Sequence, residues 1–189
     1  FDNIYHEHYN YWSLTSLINF FNKFNATIYR VERINTHGGS IRIYIKKEKI
    51  KIEKSVKELI KEEENFGIKE YKTYQAFGEK INKLKENVVN NMNQLKKSNK
   101  KIIGFGAPAK ATTALNFFGI SDQIDYVIED NKLKHNKFIP GVLIEIKNKK
   151  SLKEKNALIL VLAWNFFKEI KENNSNLNAV FVNIKDLEN

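Results

Sequence analysis

The segment that most constrains the fold is residues 101–120, KIIGFGAPAKATTALNFFGI. Its pattern is typical of a buried strand over 101–105, a tight glycine turn and a helix over 108–118. Pro108 suits the first helical turn, because the N–H group that proline lacks has no intrahelical partner there in any case. A strand, a turn and a helix in this order predict one βα unit of a parallel sheet.

The turn within this segment also suggests a ligand. Gly104, Gly106 and Ala109 match the pattern G-x-G-x-x-G/A, in which the backbone approaches a phosphate closely and helix N–H groups receive it. A second apolar strand follows and ends in Glu129 and Asp130, about 25 residues after Gly104, where a carboxylate can accept ribose hydroxyls. An ordinary βα unit whose glycines serve packing alone has the same pattern, so both interpretations stay open.

Periodicity predicts the remaining elements. Ser13 or Thr15 is expected to cap the first helix. The N-terminal part should contain a helix to about 24, strands at 26–34 and 40–46, a short helix at 55–65 and a long helix at 68–98. The C-terminal part should add strands at 124–128, 142–146, 157–163 and 179–184, with a short helix ending near 171.

These elements predict an α/β chain whose C-terminal part is a Rossmann-like parallel sheet with flanking helices. The predicted divisions are 1–54, connecting helices over 55–98, and a nucleotide-binding domain over 99–189. The last part has about 90 residues, sized for one nucleotide, which disfavours an NAD dehydrogenase. The long helix could brace two domains, cover the second sheet, or do both.

Composition excludes several classes of function. The net charge is +10, but 29 of the 32 basic residues are lysine, and the three arginines are too few for typical base readout, so we expect no nucleic-acid partner. The sequence has no apolar run long enough to predict a membrane span. The absence of cysteine is compatible with a cytoplasmic protein. The sequence opens without methionine, so we expect a fragment of a longer protein.

Several side chains could carry chemistry. His6, Glu7 and His8 lie together, yet a metal site there would need a further ligand from elsewhere, so no metal is expected. His37, beside two glycines, could contact substrate or be structural. Trp164 and Phe166 follow a parallel strand, where they could stack on a base or belong to the core. Lys110 could neutralise a pyrophosphate or be an ordinary surface lysine.

Several stretches together resemble a known group of enzymes, the SAM-dependent sugar C-methyltransferases of bacterial deoxysugar pathways. The matching stretches occur in the family's order: FDNIYHEHYNYWSL, VERINTHGGSIRIY, GFGAPAKATTALNFFGI, DNKLKHNKFIPG and LVLAWNF. One departure is visible, since the family usually has GAPAKGNTLLN where this chain has Ala111 and Thr112 after Lys110.

The resemblance implies a three-part enzyme with an N-terminal zinc-binding unit, a central SAM-binding domain and a C-terminal domain that holds a nucleotide-diphospho-sugar. This chain would carry the end of the catalytic domain and the whole C-terminal domain, would leave most of the S-adenosylmethionine site elsewhere, and would not turn over alone. His8 would be the catalytic base, with Glu7 and Tyr5 orienting it or holding the sugar. The implied substrate-binding residues are Gly104, Gly106, Ala107, Pro108, Ala109, Lys110, Asp130, Asn131, Trp164, Asn165 and His37. A non-catalytic nucleotide-binding domain and an NAD-binding, dehydrogenase-like domain remain the alternatives.

Overall fold

The computed structural model describes residues 4–5, 7–36, 39–98 and 100–189. It divides the chain into a smaller unit, Asn10–Gly78, and a larger unit made of Phe1–Tyr9 and Glu79–Asn189. The boundary falls inside the long helix. The functional division proposed from the sequence stays a prediction.

The smaller unit packs two helices on a two-stranded ribbon. Its elements are α1 (Leu14–Asn22), β1 (Thr27–Ile34), β2 (Ser40–Lys46) and α2 (Lys54–Phe66), and β1 pairs antiparallel with β2. All four were expected within a few residues. The helices bury one face of the ribbon, and the core consists of Leu14, Ile28, Val31, Val56 and Leu59.

The start of α1 is fixed by two sets of hydrogen bonds. Ser13 is the N-cap, and its hydroxyl accepts the Ser16 N–H at 3.0 Å. The carboxylate of Glu63, on α2, accepts the N–H groups of Leu14 and Thr15 at 2.7 and 2.8 Å. The first N–H groups of a helix have no partner within the helix. At the start of α1, Glu63 binds two of them although it is distant in sequence.

The long helix α3 (Tyr71–Lys96) is shorter than predicted at both ends. Gly67 adopts a left-handed conformation at the end of α2, and the chain turns there before α3 begins. In the larger unit, Val88 and Met92 of α3 are fully buried against the sheet. This half of the helix therefore covers the sheet, one of the two roles expected from the sequence.

The larger unit is built on a six-stranded sheet in the order β5-β6-β4-β3-β7-β8. All neighbouring pairs are parallel except β5 with β6. The strands are β3 (Ile102–Phe105), β4 (Tyr126–Glu129), β5 (Lys137–Phe138), β6 (Glu145–Asn148), β7 (Ala157–Val161) and β8 (Ala179–Asn183).

Alternating side chains of the central strands form a core on each face of this sheet. Helices α3 and α4 (Ala109–Phe118) cover one face, and α5 (Phe167–Asn173) contributes Phe167 and Ile170 to the other. The predicted Rossmann-like α/β fold is confirmed. Within the described residues, no helix has the length and apolar character needed to cross a bilayer.

One strand differs from its prediction. Residues 142–146 were expected to form a strand, but β6 begins only at Glu145. The preceding residues form a tight turn in which the Ile139 N–H donates to the Ile144 carbonyl at 2.9 Å. Gly141 and Leu143 both have positive φ in this turn. Part of the apolar segment expected to be a strand therefore forms a turn. The sequence pattern of apolar residues does not distinguish these two conformations.

A hydrogen-bonded group stabilises the sheet near the amino ends of its strands. The Tyr126 hydroxyl donates to Glu154 at 2.7 Å, and the Lys101 ammonium lies 3.4 Å from the same carboxylate. The hydrogen bond from Tyr126 is the main reason that the pKa of Glu154 falls from its ordinary 4.5 to about 2. Burial, followed by this hydrogen bond, raises the pKa of Tyr126.

We predict that this carboxylate makes stability depend on acid pH. Because the folded-state pKa is depressed, the contribution is complete above the unfolded value and is lost as pH falls toward 2. Glu154→Gln should lower the free energy of unfolding by about 1 kcal/mol at pH 7, and by much less near pH 2. Urea unfolding of both proteins across this range measures the difference. An equal loss at all pH values would contradict the assignment.

Candidate functional site

The candidate site lies where the chain leaves the carboxyl ends of β3 and β7. These strands are neighbours, and the helices that follow them, α4 and α5, pack on opposite faces of the sheet. In open α/β sheets, ligands bind in the crevice that forms at such a point. Gly106 and Ala163 mark the two sides of this crevice.

The glycines of the turn are required by packing. A Cβ on Gly104 would lie 2.7 Å from Val127 Cγ2 and 3.0 Å from Leu162 Cδ1, so this glycine belongs to the core. Gly106 has φ of +89°, and a Cβ there would lie 2.8 Å from the Ala163 Cβ. The glycine pattern therefore brings β3 and its turn against β4 and the end of β7.

A half-buried carboxylate, that of Glu129, is hydrogen-bonded to the same turn. Glu129 Oε2 accepts the Ala107 N–H at 2.8 Å, and Oε1 accepts the Asn131 N–H at 3.0 Å. The Lys134 ammonium lies 3.7 Å from this carboxylate and donates to the Ala107 carbonyl at 2.9 Å. Burial alone would raise the pKa of Glu129, but the hydrogen bonds from the Asn131 and Ala107 amides and the charge of Lys134 outweigh it and lower that pKa.

On one side of the turn lies a cavity of about 210 Å³, here called the aromatic cavity. Its walls come from the start of α4, the segment after β7 and the N-terminal segment of the chain; they are Tyr5, Pro108, Ala109, Lys110, Leu162, Ala163, Trp164, Asn165 and Phe166. The ammonium groups of Lys110 and Lys185 each lie 5.8 Å from the centre of the Trp164 ring. Aromatic surface and positive charge therefore meet in this cavity.

On the other side lies a cavity of about 400 Å³, here called the polar cavity. Asp130, Lys134 and Lys149 line it, together with Glu169 from α5. Asn174 is only 2% exposed and accepts a hydrogen bond from the Lys149 ammonium at 2.6 Å. The two cavities share Pro108, Ala163 and Phe166 in their walls.

Tyr5 and His8 of the YHEH motif lie close to each other, and Tyr5 lines the aromatic cavity. The His8 N–H donates to the Tyr5 carbonyl at 2.9 Å, and the two rings lie 4.4 Å apart. The Thr113 hydroxyl of α4 donates to the Ile4 carbonyl at 2.9 Å, which attaches the segment to the helix. His8 is half-buried and Glu7 is exposed, whereas His6 and His37 lie outside the described residues. Among the described residues, no three His, Cys, Asp or Glu side chains are grouped as a metal site requires.

Comparison with known proteins identifies the family. The model of the C-methyltransferase C-terminal domain matches residues 35–182. The chain belongs to the C-methyltransferase C-terminal domain family. It is also 30% identical over 177 residues to the C-methyltransferase NovU of Streptomyces niveus, a match covering 92% of this chain. The chain spans 42% of the length of that relative.

In this C-methyltransferase C-terminal domain, the residues predicted to bind substrate occupy different places. Pro108, Ala109, Lys110, Trp164 and Asn165 line the aromatic cavity, together with the predicted catalytic Tyr5. Gly106, Pro108 and Asp130 line the polar cavity. Gly104 is buried in the core, the Ala107 amide is bound by Glu129, and the Asn131 side chain accepts the Leu133 N–H. Their roles toward a ligand stay predictions.

Sequence reasoning missed three basic residues near the cavities. Lys134 and Lys149 line the polar cavity, and Lys185 approaches Trp164. Lys185 follows β8, and its position just after a parallel strand was a signal that could have identified it. Lys149 directly follows β6 and carries the same signal, whereas Lys134 lies five residues beyond the end of β4 and is not singled out.

We predict that Gly106 tolerates a side chain much less than Gly119. Gly119 also has positive φ, +69°, but no atom lies within 4 Å of its Cβ position. Gly119→Ala should therefore cost about 1 kcal/mol, from backbone strain alone. Gly106→Ala adds the contact with Ala163 and should cost about 2–3 kcal/mol. Chemical denaturation of the two variants measures this difference, and equal losses would mean that the close approach imposes no constraint.

Proposed function

We propose that this chain is the C-terminal part of a SAM-dependent C-methyltransferase that acts on a nucleotide-linked keto-sugar. Membership of the C-methyltransferase C-terminal domain family supports the reaction class. The observation that carries the substrate proposal is the aromatic cavity, in which the Trp164 ring lies near two lysine ammonium groups and the Tyr5 side chain.

The chemistry of this cavity suits the parts of a nucleotide-sugar. An indole face stacks on a nucleobase, and ammonium groups compensate the charge of a diphosphate. Trp164 is therefore assigned to the base, and Lys110 to the diphosphate. Tyr5 belongs to the YHEH motif, so a sugar at this end of the cavity would lie near the proposed catalytic groups.

In the proposed mechanism, the His8 imidazole removes a proton from the carbon beside the ketone of the sugar. An imidazole suits this task because its ordinary pKa lies near neutrality. The resulting enolate is the nucleophile for methylation. Glu7 is proposed to orient His8 or to hold the sugar, and the Tyr5 hydroxyl to orient His8 or to donate a hydrogen bond to the developing oxyanion. The 4.4 Å separation between the Tyr5 and His8 rings supports a positioning role for Tyr5.

S-adenosylmethionine would supply the electrophilic methyl group. We expect its site to lie mostly outside this chain. Two acidic side chains lie at the β4 tip: Glu129, whose two oxygens each accept a backbone N–H group, and Asp130, which lines the polar cavity. Asp130 is the carboxylate at this tip that we propose for contact with the substrate.

Titration of this chain with dTDP, UDP, NAD and S-adenosylmethionine tests the substrate proposal. We expect saturable binding of dTDP or UDP. Trp164→Ala should weaken it at least about fivefold, because stacking of one base on an aromatic side chain contributes about 1–3 kcal/mol. Trp12→Ala is the matched control, since Trp12 lies in the smaller unit. Unchanged affinity in Trp164→Ala would contradict the assignment of the base to Trp164.

The catalytic assignment requires the full-length enzyme. His8→Ala should lower the rate of methyl transfer at least about 100-fold, the usual scale for loss of a general base, while dTDP binding stays unchanged. Tyr9→Phe is a suitable control, because the neighbouring Tyr9 side chain is 87% exposed. Near-normal turnover of His8→Ala would exclude His8 as the base. Nucleotide binding without turnover in any wild-type preparation would favour the non-catalytic alternative.

A further inference from the structure

We propose that Glu129 determines ligand specificity by preventing phosphate groups from binding at the glycine turn of the larger unit, around Gly106 and Ala107. Nucleotide-binding folds with this turn commonly place a phosphate there. The hydrogen bonds around Gly106, Ala107 and Glu129 lead to the opposite conclusion here. This inference depends on the geometry of the turn and does not depend on the proposed function.

The backbone N–H groups of the turn are already used. The Gly106 N–H donates to the Ile128 carbonyl at 2.8 Å. The Ala107 N–H donates to the Glu129 carboxylate at 2.8 Å, and Pro108 has no N–H group. Three consecutive residues therefore offer no N–H donor to an incoming phosphate, although the sequence pattern is that of a phosphate-binding turn.

The carboxylate also opposes a phosphate by its charge. The Glu129 side chain is only 14% exposed, so water screens its charge incompletely. A phosphate approaching the Ala107 amide would have to displace this carboxylate or lie in contact with it, and like charges at contact distance repel strongly in such surroundings.

Neighbouring groups hold the carboxylate in this position. The Asn131 N–H donates to its second oxygen at 3.0 Å, and the Lys134 ammonium lies 3.7 Å away while donating to the Ala107 carbonyl. His135 Nε2 lies 2.7 Å from the Glu129 carbonyl oxygen. The segment after β4 thus binds both the carboxylate and the turn.

A ligand that carries a diphosphate must then place it away from the turn. Lys110 lines the aromatic cavity and provides positive charge there, whereas the Lys185 ammonium lies 5.8 Å from the Trp164 ring and pairs with Glu188 at 2.7 Å. The same glycine pattern that predicts dinucleotide binding from the sequence therefore belongs to a turn in which the N–H groups of Gly106 and Ala107 are not available to the pyrophosphate of NAD.

The test uses two variants: Glu129→Gln removes the negative charge, and Glu129→Ala removes the whole carboxyl group. Wild type, Glu129→Gln and Glu129→Ala are titrated with ADP and with inorganic diphosphate, and the amide resonance of Ala107 reports binding at the turn. We expect no saturable shift of this resonance in wild type. Glu129→Ala releases the Ala107 N–H and should give a saturable shift of this resonance with both ligands, with a dissociation constant at least about tenfold below the highest ligand concentration tested on wild type, and Glu129→Gln should give an intermediate response.

Glu154→Gln is the matched control, because it removes one carboxylate near the amino ends of the strands and changes the net charge equally. It should leave both affinities unchanged. Saturable ADP binding at the Ala107 amide of wild type would overturn the proposal. So would the absence of a gain in a Glu129 variant that unfolds cooperatively, or an equal gain in Glu154→Gln. Since Glu129→Gln keeps an oxygen that can accept the Ala107 N–H, it provides a folded variant if Glu129→Ala is unstable.

The outcome is separable from that of the proposed function. Titration of dTDP against Trp164→Ala concerns the aromatic cavity, whereas the Ala107 resonance concerns the turn. If Trp164→Ala left dTDP affinity unchanged while the Glu129 variants still bound phosphate at the Ala107 amide, the proposed function would fail and the role of Glu129 would stand.

Discussion

The close approach of the β3 turn to the end of β7 is the constraint on which the larger unit depends. Gly106 lies so near Ala163 that even a methyl group would be in steric conflict, and Gly104 lets Val127 and Leu162 meet across β3. Tight contact here joins the two halves of the parallel sheet at the point where their helices diverge to opposite faces. The cavities on either side, and the residues that line them, are positioned by this contact.

The two sides of the crevice beside this contact also differ in the charged groups that they present to a ligand. The negative charge of Glu129 is held against the turn, while lysine ammonium groups lie near the indole on the side of α4. Because the Glu129 carboxylate already accepts the Ala107 N–H, we expect the anionic part of a ligand to avoid the glycine turn. A general fold thus acquires its own selectivity from a few side chains, without any change in sheet topology.

The sequence was sufficient for the helices and most strands, because buried parallel strands such as β7 are continuously apolar and α1 has a recognisable cap. It was insufficient at Leu143, where an apolar residue takes positive φ in a turn. The site was only partly predictable. The aromatic residues after β7 were identified from their position, but the partners of Glu129 depend on the three-dimensional path of the segment after β4. A glycine pattern does not reveal whether its amide groups are already bound.

The environment of Trp164 has an optical consequence. The chain contains two tryptophans, one in each compact unit. Indole emission responds to nearby charge, and Trp164 has two ammonium groups near its ring while lining a cavity. Intrinsic fluorescence of the chain therefore contains a component that senses the contents of this cavity, and Trp12 supplies an internal reference from the other unit.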